Sequence, residues 1–127
     1  MIDLLILEDD FEIIKEIRNV VPEEYGVRFC TATSEFKDFL ESDEKARLYF
    51  LDDNVPWEPN TKDRYETPSA QFDYNVAELL IFHPEAKVFY TGSFPDTSAR
   101  RLIQEHSIKR IDKSEIGKVT REELGFD

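Results

Sequence analysis

Glu8, Asp9, Asp52 and Thr91 share a peculiarity of placement with Lys113: the first four stand at or just past the carboxyl end of a short apolar run, and Lys113 follows a short stretch bounded by Ile108 and Ile111. Leu4-Leu5-Ile6-Leu7 leads into Glu8-Asp9-Asp10, Leu48-Tyr49-Phe50-Leu51 into Asp52-Asp53, and Val88-Phe89-Tyr90 into Thr91. A shorter run over residues 108–111 leads to Lys113. Acids, a hydroxyl and one amine gathered at one place suit a divalent cation and a phosphoryl group. Clustered carboxylates repel one another, and a divalent cation offsets that repulsion. Mg²⁺ favours a few carboxylate oxygens and keeps several of its waters. Phosphoryl transfer asks mostly for positioning and for neutralisation of the oxygens.

The elements that would have to gather these residues can be read from periodicity. Apolar runs of this length, separated by helical patterns, read as buried parallel strands. Strands are expected at 2–7, 27–31, 48–52, 87–91 and 108–111. The first helix, over 11–21, carries Ile13, Ile14, Ile17, Val20 and Val21 at helical spacing and is stopped by Pro22. A short second helix over 34–41 has Phe36, Phe39 and Leu40 on one face. Thr67-Pro68 reads as an N-cap followed by proline at the first helical position. Phe72, Val76, Leu79 and Leu80 give that third helix its apolar face, and His83-Pro84 ends it. A fourth helix is expected over 95–105 and a short, truncated last one over 116–124. Five such βα units with right-handed crossovers make an α/β, doubly wound, five-stranded parallel sheet in the flavodoxin-like order 2-1-3-4-5. Ligands bind outside the carboxyl ends of the strands in such sheets. Residues up to 105 positions apart would meet there.

At 127 residues the length fits a single domain, 1–127. With 28 Asp plus Glu against 16 Lys plus Arg, the formal net charge is −12. A polyanion is repelled by nucleic acid phosphates, which are bound mainly through Lys and Arg, and by anionic membrane surfaces. Neither is an expected partner. Cys30 is the only cysteine, so no internal disulfide can form, and a reducing, cytoplasmic setting is expected. Cys30 lies in the apolar run 27–30 and reads as a buried core thiol. The first residues carry Asp3 where a signal peptide would carry basic charge, and their apolar run is too short for membrane insertion. Asp10 and Asp53 read as structural acids: strand alternation turns Asp53 away from Asp52, and acids stabilise a first helical turn.

Along nearly its whole length the sequence resembles the receiver domain of bacterial two-component response regulators. The strand-end motif Leu-Ile-Leu-Glu-Asp-Asp, the proline at Pro56 four residues after Asp52, the pair Thr91-Gly92, and Lys113 placed 22 residues after Thr91 carry the likeness. The resemblance implies that Asp52 accepts a phosphoryl group from a sensor histidine kinase, a phosphotransfer protein or a small acyl phosphate. It implies that Glu8, Asp9, Asp52 and the backbone carbonyl of Asn54 hold Mg²⁺, that Lys113 pairs with the phosphoryl oxygens, and that Thr91 hydrogen-bonds to one of them. Only 14 residues follow Lys113, so a stand-alone receiver that signals through contacts with an output protein is expected.

Several positions depart from the family. Ser114 stands where a proline with a cis bond is usual, and a cis bond before a non-proline residue costs about 2.5 to 4 kcal/mol, so a trans or strained loop is expected. Asp112 could compete for the Lys113 ammonium. Arg110 replaces the switch aromatic and is expected to stay outward, because burying an unpaired guanidinium is costly. About ten additional residues lie between Pro56 and the third helix; they read first as a variable insertion packed on the surface, and alternatively as a lid or a partner surface anchored by Trp57 and Tyr65. Two other functions fit parts of the pattern. One is a receiver-like interaction module that needs no phosphate. The other is a hydrolase of the haloacid dehalogenase type, suggested by Asp52-Asp53-Asn54, although Asn54 stands where that chemistry needs a second Asp.

Overall fold

Hydrophobic alternation builds a sheet with two buried faces, and the computed structural model, which describes residues 1–59, 68–92, 101 and 103–125, realises it as five parallel strands in the order β2-β1-β3-β4-β5. The strands are β1 (Ile2–Leu7), β2 (Val27–Cys30), β3 (Ala46–Leu51), β4 (Val88–Tyr90) and β5 (Lys109–Arg110). Leu5, Leu7, Tyr49, Leu51, Val88 and Tyr90 face one side, where they pack against α2 (Thr33–Glu41) through Phe36, Phe39 and Leu40 and against α3 (Pro68–Phe82) through Phe72, Val76 and Leu79. Their neighbours Leu4, Ile6, Leu48, Phe50 and Phe89 face the other side. There they meet Ile17 and Val21 of the α1 segment (α1, Phe11–Val20) and Ile116 and Val119 of the C-terminal helix (Ile116–Leu124). Period-two alternation thus divides these strand residues between two cores.

The strands differ from expectation at their ends. β3 starts two residues early, at Ala46, and β2, β3 and β4 stop pairing one residue early. Thr31, Asp52 and Thr91 are therefore the first residues beyond the sheet. Only Lys109 and Arg110 pair as β5, while the flanking Ile108 and Ile111 are buried in opposite cores. The first helix starts as the sequence suggests, because Asp10 is its N-cap and its side chain accepts from the Glu12 and Ile13 amides. α2 starts differently: its N-cap Ala32 has no side-chain acceptor, and the amides of Thr33 and Ser34 donate instead to the carbonyls of Pro56 and Trp57. The C-terminal helix has nine residues, short as expected, and ends at Gly125 in the left-handed region (φ 69°), where glycine has no Cβ penalty. The Thr67 cap, Tyr65 and most of the helix expected over 95–105 lie outside the described residues; 101 and 103–105 are helical. Among the described residues no helix is long and apolar enough to cross a membrane.

Candidate functional site

Parallel register converts strand ends into a site. Leu7 pairs with Leu51 and Leu51 with Tyr90, so the next residues, Glu8, Asp52 and Thr91, leave adjacent strands at one level. Backbone bonds extend that register past the sheet: the Glu8 amide donates to the Cys30 carbonyl, the Asp52 amide to Leu7, and the Thr91 amide to Leu51. Leu7, Leu51 and Tyr90 face the α2 and α3 side. Alternation then turns Glu8, Asp52 and Thr91 towards α1 and the C-terminal helix, the side from which Lys113 approaches.

The geometry brings the expected residues together. Glu8 and Asp52 are buried, at 2% and 5% exposure, and Thr91 is buried beside them. One carboxylate oxygen from each of Glu8, Asp9 and Asp52 falls within a group spanning no more than 4.8 Å. The Lys113 ammonium lies between two of them, 2.5 Å from Glu8 Oε1 and 3.1 Å from Asp52 Oδ2. Lys113 thus turns to the acid cluster and not to Asp112. A turn of 3₁₀ helix over Lys113–Glu115 presents it, tied by the Asp112 amide donating to Glu115 Oε1. Among the described residues no peptide is cis, so the Lys113-Ser114 bond is trans. Asn54 is exposed, two residues beyond Asp52. Arg110 is exposed, as expected, and its Nε donates to the Gly92 carbonyl at 3.1 Å.

Electrostatics show what the cluster lacks. Burial, then the charge of Glu8, pushes the Asp52 carboxyl up to about 7, against the opposing effects of Lys113 and of the Asp53 amide, which donates to Asp52 Oδ1. Burial by itself would lower Lys113, but its bond to Glu8 and the charges of Asp52 and Glu8 leave it raised. One ammonium does not compensate the crowded acids. The donor set consists of hard carboxylate oxygens around a position where a cation already sits, and both features fit Mg²⁺. A divalent ion at Glu8, Asp9 and Asp52 would supply the missing charge.

Two features of the site were not foreseen. Asp53 turns away from the Asp52 carboxylate, as alternation implies, yet it is buried and not a solvated acid, because the Tyr90 hydroxyl donates to its Oδ2. The segment after Asp52 is also firmly held. Gln71 bonds both the amide and the carbonyl of Val55, the carbonyls of Pro56 and Trp57 accept from α2, and Trp57 packs edge-on against Tyr74 at 5.7 Å. Residues 60–67 of that segment lie outside the described residues.

No protein-family model matches the sequence, and no curated protein matches it. Solved structures do match. A response regulator receiver domain protein (CheY-like) from Methanospirillum hungatei superposes with a TM-score of 0.65 and 13% identity, over 100% of this chain and 99% of that one. A structure described as an adenylate cyclase from Rhodopirellula baltica gives 0.71 and 13%, over 98% and 87%. The isolated receiver domain of RcsB from Salmonella enterica, solved with a beryllium fluoride phosphomimetic, gives 0.63 and 12%, over 98% and 86%. At these identities the likeness is one of fold.

Proposed function

We propose, from the receiver-domain fold of this chain, that Asp52 accepts a phosphoryl group in a Mg²⁺-dependent step and that the phosphorylated surface signals through protein contacts. The observation that carries this reading is the placement of Glu8, Asp9, Asp52 and Lys113 within one partly buried, oxygen-rich cluster at the sheet's carboxyl edge. An Asp52 carboxylate oxygen attacks phosphorus. With a small acyl phosphate the P–O bond breaks and a carboxylate leaves, and with a kinase or phosphotransfer-protein phosphohistidine the P–N bond breaks and the departing imidazole takes up a proton. Either way Asp52 becomes a mixed anhydride. Glu8, Asp9, Asp52 and the Asn54 carbonyl would hold Mg²⁺, which when bound neutralises phosphoryl oxygens. Lys113 exchanges a carboxylate partner for a phosphoryl oxygen, and the Thr91 hydroxyl donates to another. Such a domain is a signalling component and not a turnover enzyme, with a cytoplasmic kinase or phosphotransfer protein upstream and an output protein downstream.

Intact-mass measurement after incubation with acetyl phosphate and Mg²⁺ tests the reading. Wild type should gain one phosphoryl group, and Asp52→Asn none. Equal gain in the two proteins, or none in wild type, would favour a phosphate-independent interaction module. Metal binding should need high micromolar to millimolar Mg²⁺, as an order of magnitude for a site of few carboxylates and open water positions.

A further inference from the structure

On the face of the sheet opposite the acid cluster, a second set of contacts reaches Asp52 through the backbone. Asp53 is buried, and its carboxylate accepts from the Tyr90 hydroxyl, 37 residues away in sequence. The Tyr90 ring is fully buried and fixed edge-on against Phe72 of α3, with ring centroids 4.5 Å apart. Gly92 leaves the space that the carboxylate needs, since a Cβ there would lie 2.6 Å from Asp53 Oδ1. The amide of that same Asp53 donates to Asp52 Oδ1 at 2.8 Å, while Lys113 takes Asp52 Oδ2. The two oxygens of the Asp52 carboxylate are thus held by different donors, the Asp53 amide and the Lys113 ammonium.

We propose that Asp53 and Tyr90 are positioning residues for Asp52: the Tyr90 hydroxyl clamps the Asp53 carboxylate, which fixes the intervening peptide and aims its N–H at Asp52 Oδ1. The consequence for phosphoryl transfer rests on the reading of Asp52 as acceptor, but the clamp itself does not. A buried carboxylate keeps a donor wherever it can find one. Without the Tyr90 hydroxyl, Asp53 turns towards water, the peptide rotates with it, and Asp52 loses one of its two restraints. Small misplacements of a reacting group cost large factors in rate. The clamp needs an acceptor at position 53 and not a charge, so asparagine, which has the same shape and a carbonyl oxygen, should serve.

The test uses Tyr90→Phe, Asp53→Asn and Asp53→Ala in the full chain. Two readouts are taken: the shift and hydrogen exchange of the residue-53 amide by NMR without phosphodonor, and the rate constant of phosphorylation at saturating acetyl phosphate and Mg²⁺. Tyr90→Phe should move the residue-53 amide upfield, speed its exchange about tenfold, and slow phosphorylation about tenfold, with the Mg²⁺ half-saturation unchanged within about twofold. Asp53→Ala should match it, and Asp53→Asn should stay within about twofold of wild type. An unchanged residue-53 amide in Tyr90→Phe overturns the clamp, and so does an Asp53→Asn rate as low as that of Asp53→Ala, which would mean that charge matters and not position. Gly92→Ala keeps both side chains but pushes the Tyr90 hydroxyl and the Asp53 carboxylate aside, so it should reproduce the amide shift even where a position 53 or 90 variant folds poorly. Absence of phosphorylation in wild type would defeat the acceptor reading alone, and the amide readout would still decide the clamp.

Discussion

Lys113 is a cation between two buried acids, so its removal should affect stability and metal response together. Lys113→Met leaves Glu8 and Asp52 facing each other without their ammonium. The cost in EDTA should be about 1–3 kcal/mol, the penalty of buried groups losing their partner. Millimolar Mg²⁺ should recover more stability in this variant than in wild type, measured by urea unfolding with and without the metal; an equal gain in both would mean that Lys113 and the metal do not share the carboxylates. Cys30 gives a pH dependence of definite sign. Burial pushes its thiol up to about 12, so the folded state prefers the protonated form. That contribution is fully present below the ordinary thiol value of about 8.5 and is lost as pH rises from there towards 12. Unfolding free energy should therefore fall more steeply between pH 8 and pH 10.5 in wild type than in Cys30→Ala. At pH 8 the native thiol should react with a disulfide reagent about a thousandfold more slowly than the unfolded one, because so little thiolate is present. A fast native reaction would place Cys30 outside the core.

At the scale of elements, α1 and the C-terminal helix meet at Gly117, where a Cβ would lie 2.9 Å from the Val20 carbonyl. Gly117→Ala should cost about 1–3 kcal/mol by overpacking, read as a lowered urea midpoint with an unchanged slope. An unchanged midpoint would mean that the helix shifts freely. The elements were legible because their signals are local. β1, β3 and β4 announce themselves by apolar runs, and Glu8, Asp9, Asp52 and Thr91 follow those runs within one or two positions, while Asn54 comes three positions after Leu51 and Lys113 two after Ile111. β5 was legible only in outline, since its two paired residues are Lys109 and Arg110, and the apolar signal came from the flanking Ile108 and Ile111. Helix α2 starts one residue earlier than the sequence suggests, because its cap is supplied by Pro56 and Trp57 and not by a nearby side chain. Asp53 looked like a bystander for a similar reason. Its burial depends on Tyr90, and nothing at position 53 announces a partner 37 residues downstream. Locally encoded features could be read from the sequence, and features made by partners distant in the chain could not.

For the molecule as a whole, a net charge of −12 sets its long-range behaviour. Phosphorylation makes an acidic chain more negative, so neither form should bind DNA at physiological salt. A salt-sensitive gel shift at micromolar protein would contradict this. Trp57, the only tryptophan, reports on the segment that follows Asp52 and is held by α2 and Tyr74. Its fluorescence should respond when beryllium trifluoride and Mg²⁺ are added together, and should do so in Arg110→Ala as well, since Arg110 lies outward on Gly92. Loss of the response in that variant would make Arg110 part of the change. The start of α2 also sets an order of assembly. Its first two amides find their acceptors only in Pro56 and Trp57, beyond a loop that contains the rest of α2 and all of β3. Closing so long a loop has an entropic cost that must be met before the contact forms. On the ribosome, the first turn of α2 therefore waits for a stretch of chain synthesised after it, and the segment that follows Asp52 locks into place in the same event that completes the helix.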